Sequence, residues 1–158
     1  MMRIAIGSDH GGYGLKQELL ARLKDLPYEW TDFGCDSEES VDYPDYAIEV
    51  AQRVAAGEFD RGILLCGTGL GMAITANKVP GIRAATVHDT FSAQATRAHN
   101  DSNILTMGGR VVEPDRAEQI TRIWLETPFE GGRHARRLKK IEMLEHAVMD
   151  SKKAGSAL

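Results

Sequence analysis

The sequence predicts an α/β domain built on a parallel sheet, and three observations carry that prediction. Strand-like and helical stretches alternate through five rounds, the pattern of a parallel sheet covered by helices on both sides. Runs such as Ile4-Ala5-Ile6 and Gly62-Ile63-Leu64-Leu65 are continuously apolar, as in strands buried on both faces. The third run turns through Cys66-Gly67-Thr68-Gly69-Leu70-Gly71-Met72 into a helix. Such a turn leaves backbone N–H groups pointing at an anion or a developing oxyanion.

The elements follow in order. Arg3 to Gly7 is the first strand, and Ser8-Asp9-His10-Gly11-Gly12 is a turn. A helix from about Tyr13 to Lys24 stacks Leu15, Leu19, Leu23 and, just beyond it, Leu26 on one face. Tyr28 to Phe33 is the second strand, and the acidic stretch Cys35 to Asp42 is a loop. Pro44 suits the first turn of a helix whose stripe is Ala47, Val50, Ala51 and Val54, ended by Gly57. After the third strand and its turn comes a helix over Met72 to Lys78. Ile82 to Val87 is the fourth strand, and Asp89 or Thr90 caps a helix reaching Ala98. Asn103 to Met107 is the fifth strand, closed by Gly108-Gly109-Arg110. Pro114 opens a helix with Ala117, Ile120 and Trp124 inward, broken at Pro128 to Gly132. A last helix, about His134 to Met149, carries Leu138, Ile141, Leu144 and Val148 on one face. The expected architecture is a three-layer, Rossmann-like (flavodoxin-like) five-stranded parallel sheet of strand order 2-1-3-4-5. One domain spans residues 1–150, with 151–158 as a flexible tail.

Bulk properties narrow the function classes. The 158 residues, 42% hydrophobic and 27% charged, suit one globular domain, and a net charge of −4 gives no footprint for nucleic acid or a membrane surface. No apolar run approaches the ~20 residues that span a bilayer. Two cysteines in unlike contexts, and no export signal, predict a reduced cytoplasm.

Ligands of open parallel sheets bind beyond the carboxyl ends of the strands. There the sequence places Asp9-His10, Asp42-Tyr43, Cys66 to Gly71, His88-Asp89 and Arg110. Each has a plain structural reading too: Cys66 as packing, His10 and Asp89 as helix caps. His99-Asn100 precedes strand five and lies on the opposite rim, so a neighbouring subunit must deliver it to any common site. Arg133, Arg136, Arg137, Lys139 and Lys140 crowd a helix start, against the favoured dipole sign, which points to an anionic partner such as phosphate. No GxxxxGK[ST] is present, and Met72 stands where a dinucleotide fingerprint needs its third glycine. With Asp89 about twenty residues on, a nucleotide-binding regulatory module stays an alternative. A metal set drawn from Asp9, His10, His88, Asp89 and His99 lacks any recognisable ligand spacing.

Seven blocks carry a resemblance over roughly residues 3 to 149: Ser8 to Gly12, Val41 to Pro44, Cys66 to Gly71, Ala76 to Ala84, His99 to Asp101, Gly108 to Arg110 and Phe129 to His134. In this order they resemble the type B ribose-5-phosphate isomerases, a family that includes galactose- and allose-6-phosphate isomerases. The resemblance implies a cofactor-free aldose–ketose isomerase acting on a sugar phosphate through an enediolate. It implies Cys66 as the base moving a proton between C1 and C2, since other members carry a glutamate where this chain has Met72. It implies His99 in ring opening, Asp9 near the ring hydroxyls, and His10, Arg110, Arg133 and Arg137 around the phosphate.

Residue chemistry agrees with those roles. A helix N-terminus and nearby cations draw a cysteine towards thiolate, and amides of the Gly67-Thr68-Gly69-Leu70-Gly71 turn can hold an oxyanion. Thr68 can relay a proton, and Asn100 can bond substrate from a partner subunit. The expected assembly is a homodimer with shared sites, or a tetramer of such dimers, with a hexose 6-phosphate as the alternative substrate.

Overall fold

Alternation within the apolar runs decides which face of the sheet each side chain serves. The computed structural model describes residues 1–156, and in it five strands and six helices form among those residues. The strands are β1 (Arg3–Ser8), β2 (Glu29–Asp32), β3 (Arg61–Cys66), β4 (Ala84–Thr86) and β5 (Ile104–Gly108). The helices are α1 (Tyr13–Arg22), α2 (Tyr43–Ala55), α3 (Leu70–Ala76), α4 (Thr90–Asn100), α5 (Pro114–Glu126) and α6 (Arg133–Ser156). Ile4, Ile6, Ile63, Leu65, Leu105 and Met107 face one core, with Leu15, Leu19 and Leu23, Ala93, and Ala117, Ile120 and Trp124. Ala5, Leu64, Cys66 and Ile104 face the other, against Val50 and Val54 of α2 and Met72 and Ala76 of α3. The period of two thus sends neighbours in one apolar run into two separate cores.

All pairings are parallel. The observed order is β2-β1-β3-β5-β4, which corrects the expected 2-1-3-4-5. Strand length and side-chain size fit the exchange of the last two strands. β5 is five residues carrying Ile104, Leu105 and Met107, whereas β4 is the three residues Ala84, Ala85 and Thr86; with β5 inside and β4 at the edge, all of β5 is buried and β4 is half-buried. The core contacts fit right-handed crossovers: α1 and α4, whose connections step towards β2, share one core, and α2 and α3, stepping the other way, share the second.

Other boundaries shift. The helix after the glycine turn starts at Leu70 and ends at Ala76, and α1 stops at Arg22. The fourth strand shortens to Ala84–Thr86. The last helix runs to Ser156, through most of the expected tail, while Ala157 and Leu158 lie outside the described residues. The apolar stripe of that helix is largely uncovered: Ile141, Leu144 and Val148 are 54%, 66% and 47% exposed. Among the described residues, no helix is long and apolar enough to cross a membrane.

Candidate active site

The strand order decides what stands beside the glycine turn. Because β5 pairs with β3, Cys66 lies in register with Gly108, and the loop after β5 folds directly onto the turn. Gly109 N–H donates to Cys66 O (2.8 Å) and Arg110 N–H to Gly67 O (3.1 Å). The Arg110 guanidinium lies against Gly67, where an added Cβ would meet its Nη1 at 3.0 Å. In the expected order, Asp89 would have been the nearer neighbour. Instead Asp89 caps α4, accepting from Ser92 N–H (2.7 Å) and Ser92 Oγ–H (2.9 Å). Those bonds, the backbone one first, hold its carboxyl below the usual range.

Cys66 sits at the floor of the turn, 5% exposed. Gly69 N–H donates to its Sγ at 3.0 Å, which fixes the sulfur relative to the backbone. Gly69 has φ +78°, and a Cβ there would lie 2.8 Å from the carbonyl carbon of Met107; only glycine meets both demands. From behind, Thr106 Oγ–H donates to Gly69 O (2.9 Å) and bonds Thr86 Oγ1 (2.8 Å). Thr68, exposed at the lip, accepts Leu70 N–H on Oγ1 (3.3 Å). Among the described residues, the N–H groups of Gly67 and Thr68 donate to nothing, so they remain for a ligand oxygen.

The β1 turn closes one side. Asp9 is buried, and its carboxylate accepts Gly12 N–H (3.1 Å). Its own N–H donates to Leu65 O (3.1 Å), fastening it beside β3. His10 accepts Val41 N–H on Nδ1 (3.1 Å), so in the neutral ring Nε2 carries the hydrogen and is the free donor. Tyr43, at the start of α2 after exposed Asp42, lays its ring over Gly71, where a Cβ would meet it at 2.6 Å. His88 accepts Gly108 N–H on Nε2 (3.0 Å), and burial lowers its pKa against the opposing pull of Asp89. It is a structural histidine.

Two contributors escaped the sequence. Lys16 is fully buried in α1; its ammonium donates to Asp32 Oδ1 (2.7 Å) and to the Cys35 carbonyl. It anchors the start of the loop whose Val41 N–H orients His10. An isolated lysine on a helix gives no sequence signal of burial. The second is His134, which stacks on His99 with ring centroids 4.3 Å apart and planes at 12°.

That stack marks the other end of the molecule. His99 ends α4 and precedes β5, so it lies at the amino ends of the strands, away from Cys66. Glu130 N–H donates to Ala98 O (3.0 Å), pinning the start of α6 to α4, and Glu130 Oε2 lies 3.3 Å from His134 Nε2. Burial, then His99 and Arg133, lower the His134 pKa, and Arg137 adds to them. Arg133, Arg137 and Asn100 are exposed. A single chain therefore gathers Asp9, His10, Tyr43, the Cys66 turn and Arg110 at one rim, and His99, Arg133 and Arg137 at another. The metal set read from the sequence is not assembled; among the described residues only His99, Glu130 and His134 bring ligand atoms within 4.8 Å of one another.

Residues 4–141 match the family model described as Ribose/Galactose Isomerase. The chain is similar to the ribose-5-phosphate isomerase B of Escherichia coli, 48% identical, with 92% of this chain and 97% of that protein covered. Its fold is similar to that of Clostridium thermocellum ribose-5-phosphate isomerase B at 54% identity and TM-score 0.91, covering 93% of this chain and 99% of that one. It is also similar to the Mycoplasma genitalium ribose-5-phosphate isomerase B with bound ribulose-5-phosphate, at 39% identity and TM-score 0.88, covering 92% and 97%.

Proposed function

The chain belongs to the ribose/galactose isomerase family, and on that premise we propose that it interconverts ribose 5-phosphate and ribulose 5-phosphate through an enediolate, with Cys66 as the base. One observation carries the residue assignment. The Cys66 sulfur is held by Gly69 N–H beside two backbone donors, of Gly67 and Thr68, that find no acceptor among the described residues. Proton abstraction next to a carbonyl needs a base and oxyanion donors within one substrate's width, and the turn supplies both.

In the open-chain aldose, the Cys66 thiolate takes the proton from C2, leaving a thiol and an enediolate. The negative charge develops on O1, where the turn amides receive it. The thiol returns the proton to C1, and a hydroxyl proton passes from O2 to O1, with Thr68 placed to relay it. Asp9 faces the sugar hydroxyls. Nε2–H of His10 and the guanidinium of Arg110 face the phosphate.

Ring opening and the rest of the phosphate site come from a second copy of the chain. His99, Asn100, Arg133 and Arg137 lie together at the far end of their own chain, and α6 turns Ile141, Leu144 and Val148 outward. A homodimer that covers this stripe and seats one copy's His99 against the other's Cys66 accounts for both facts. Bidentate arginine contacts at the phosphate position the reacting carbons without touching them. A panel of pentose and hexose 5- and 6-phosphates, scored by kcat/KM, tests the substrate: ribose 5-phosphate is expected to lead, and a hexose 6-phosphate in first place would overturn it.

A further inference from the structure

A polar cavity opens at the amino ends of the strands, and no step of the isomerisation uses it. It has a volume of about 530 Å³, with Asp60, Arg61, Arg83, Arg97, Asp101 and Asn103 in its wall. Arg61 of β3, Arg83 just before β4 and Arg97 of α4 thus line one cavity in a chain whose net charge is −4.

Two carboxylates, Asp60 and Asp101, face these three guanidinium groups, and both are shared. Asp60 is taken by Arg3, from its N–H (2.7 Å) and its Nε (3.4 Å). Asp101 serves two arginines at once, Arg97 Nη1 at 2.8 Å and Arg83 Nη2 at 3.4 Å. Arg61 forms no ion pair among the described residues; its Nη1 donates to the carbonyls of Trp124 (2.8 Å) and Leu125 (3.2 Å). Arg97 is 5% exposed; its Nη1 also donates to Ser102 O (2.6 Å), while its buried Nε finds no hydrogen-bond partner among the described residues. Burial first, then the charge of Arg97, push the Arg61 pKa down to about 10. Guanidinium groups crowded in this way are the side chains that grip tetrahedral oxyanions through paired N–H donors.

We propose that this cavity binds a small, phosphate-sized oxyanion between Arg61, Arg83 and Arg97, on the rim opposite Cys66. The anion supplies the charge that Asp101 cannot provide to all three. The site also touches the end of α4: Arg83 Nε donates to Asn100 O (2.9 Å) and Nη2 to Asp101 O (2.9 Å), and Arg97 lies two residues before His99. An occupied cavity therefore steadies the segment that carries His99 and Asn100.

The test is titration of the full-length Arg137→Ala protein with inorganic phosphate, followed through the arginine Nε–Hε resonances in ¹⁵N NMR, with chloride at equal ionic strength as the control. Arg137→Ala weakens anion binding at the proposed sugar-phosphate contacts and leaves the cavity intact. The expected result is saturable movement of the Arg61, Arg83 and Arg97 signals, with affinity falling at least ~10-fold on adding Arg61→Gln. Should Arg61→Gln not fold, Arg83→Gln takes its place. Signals that stay still, that move equally with chloride, or that titrate with unchanged affinity in the folded cavity variant overturn the proposal. None of these readouts depends on the enzyme's activity, so they separate this site from the isomerase reading.

Discussion

The two ends of the sheet are built in opposite ways. At the carboxyl ends, main chain and buried side chains fix each reactive group: Gly69 N–H holds Cys66 Sγ, Thr106 holds Gly69, Gly12 holds Asp9, and Val41 holds His10. At the amino ends, the reactive groups stand on helix termini, with Arg133, Arg137 and Asn100 exposed and His99 held by a stacked ring. Under the proposed function, the first end is a finished half of the reaction centre. The second resembles a surface shaped for another molecule. A static, preorganised half suits charge developing in a transition state, whereas groups that arrive from a neighbour can serve binding and ring opening.

The largest effect expected from breaking this contrast is at the sulfur. Cys66→Ala should lower kcat by ~10²–10⁴ and stop solvent deuterium entering the substrate carbon, with sugar-phosphate binding kept. Full exchange in that variant would remove Cys66 as the base.

Mixing comes next, because it asks whether the two ends work together. Cys66→Ala and His99→Ala proteins, each inactive alone, should regain about a quarter of wild-type activity after subunit exchange. Half the dimers are then mixed, and each mixed dimer holds one intact site. No recovery, with exchange shown by mass spectrometry, would place each site within one chain.

A smaller effect belongs to the exposed end alone. Arg137→Ala should raise KM by ~10-fold or more, the worth of a charge-assisted contact, while kcat changes little. Steady-state kinetics check it, and an unchanged KM takes Arg137 out of the phosphate site.

The smallest expected effect is on stability, and it comes from both ends. His88 and His134 are held below the ordinary histidine range, chiefly by burial. As pH falls, the unfolded chain binds protons at these positions first, so stability present above the unfolded value near 6.5 is lost as pH drops below it. Tm should therefore decline between about pH 7 and pH 5, and less steeply in His134→Asn. A Tm that is flat over this window would contradict the burial assigned to both rings.

Much of this contrast was legible in the chain itself. Glycines at 67, 69 and 71 after an apolar run marked the turn, and the position of His99 before strand five already separated it from Cys66. Asp89 proved to be the cap that its place before Thr90 allowed. The pairing of His99 with His134 was not legible, because the two are brought together only when Glu130 fastens α6 to α4. Lys16 was equally silent: its burial depends on Asp32 and the Cys35 carbonyl, which α1 meets only in the folded state. The apolar stripe on α6 is legible as one helix face, but that Ile141, Leu144 and Val148 stand exposed on it is not, since periodicity reports a face and not what covers it.

By itself, the sequence determined the parallel α/β class, the element types, the glycine turn and the family resemblance. Each rests on local pattern: periods of two and 3.6, glycine where φ turns positive, and residue blocks in a set order. Tertiary structure alone decided that β5 lies beside β3, and with it that Arg110 rather than Asp89 borders Cys66. The physical reason is competition for the sheet interior: the longer strand with Ile104, Leu105 and Met107 fills the place beside β3 and leaves Ala84–Thr86 at the edge, and that outcome depends on comparing two distant segments rather than on a local pattern.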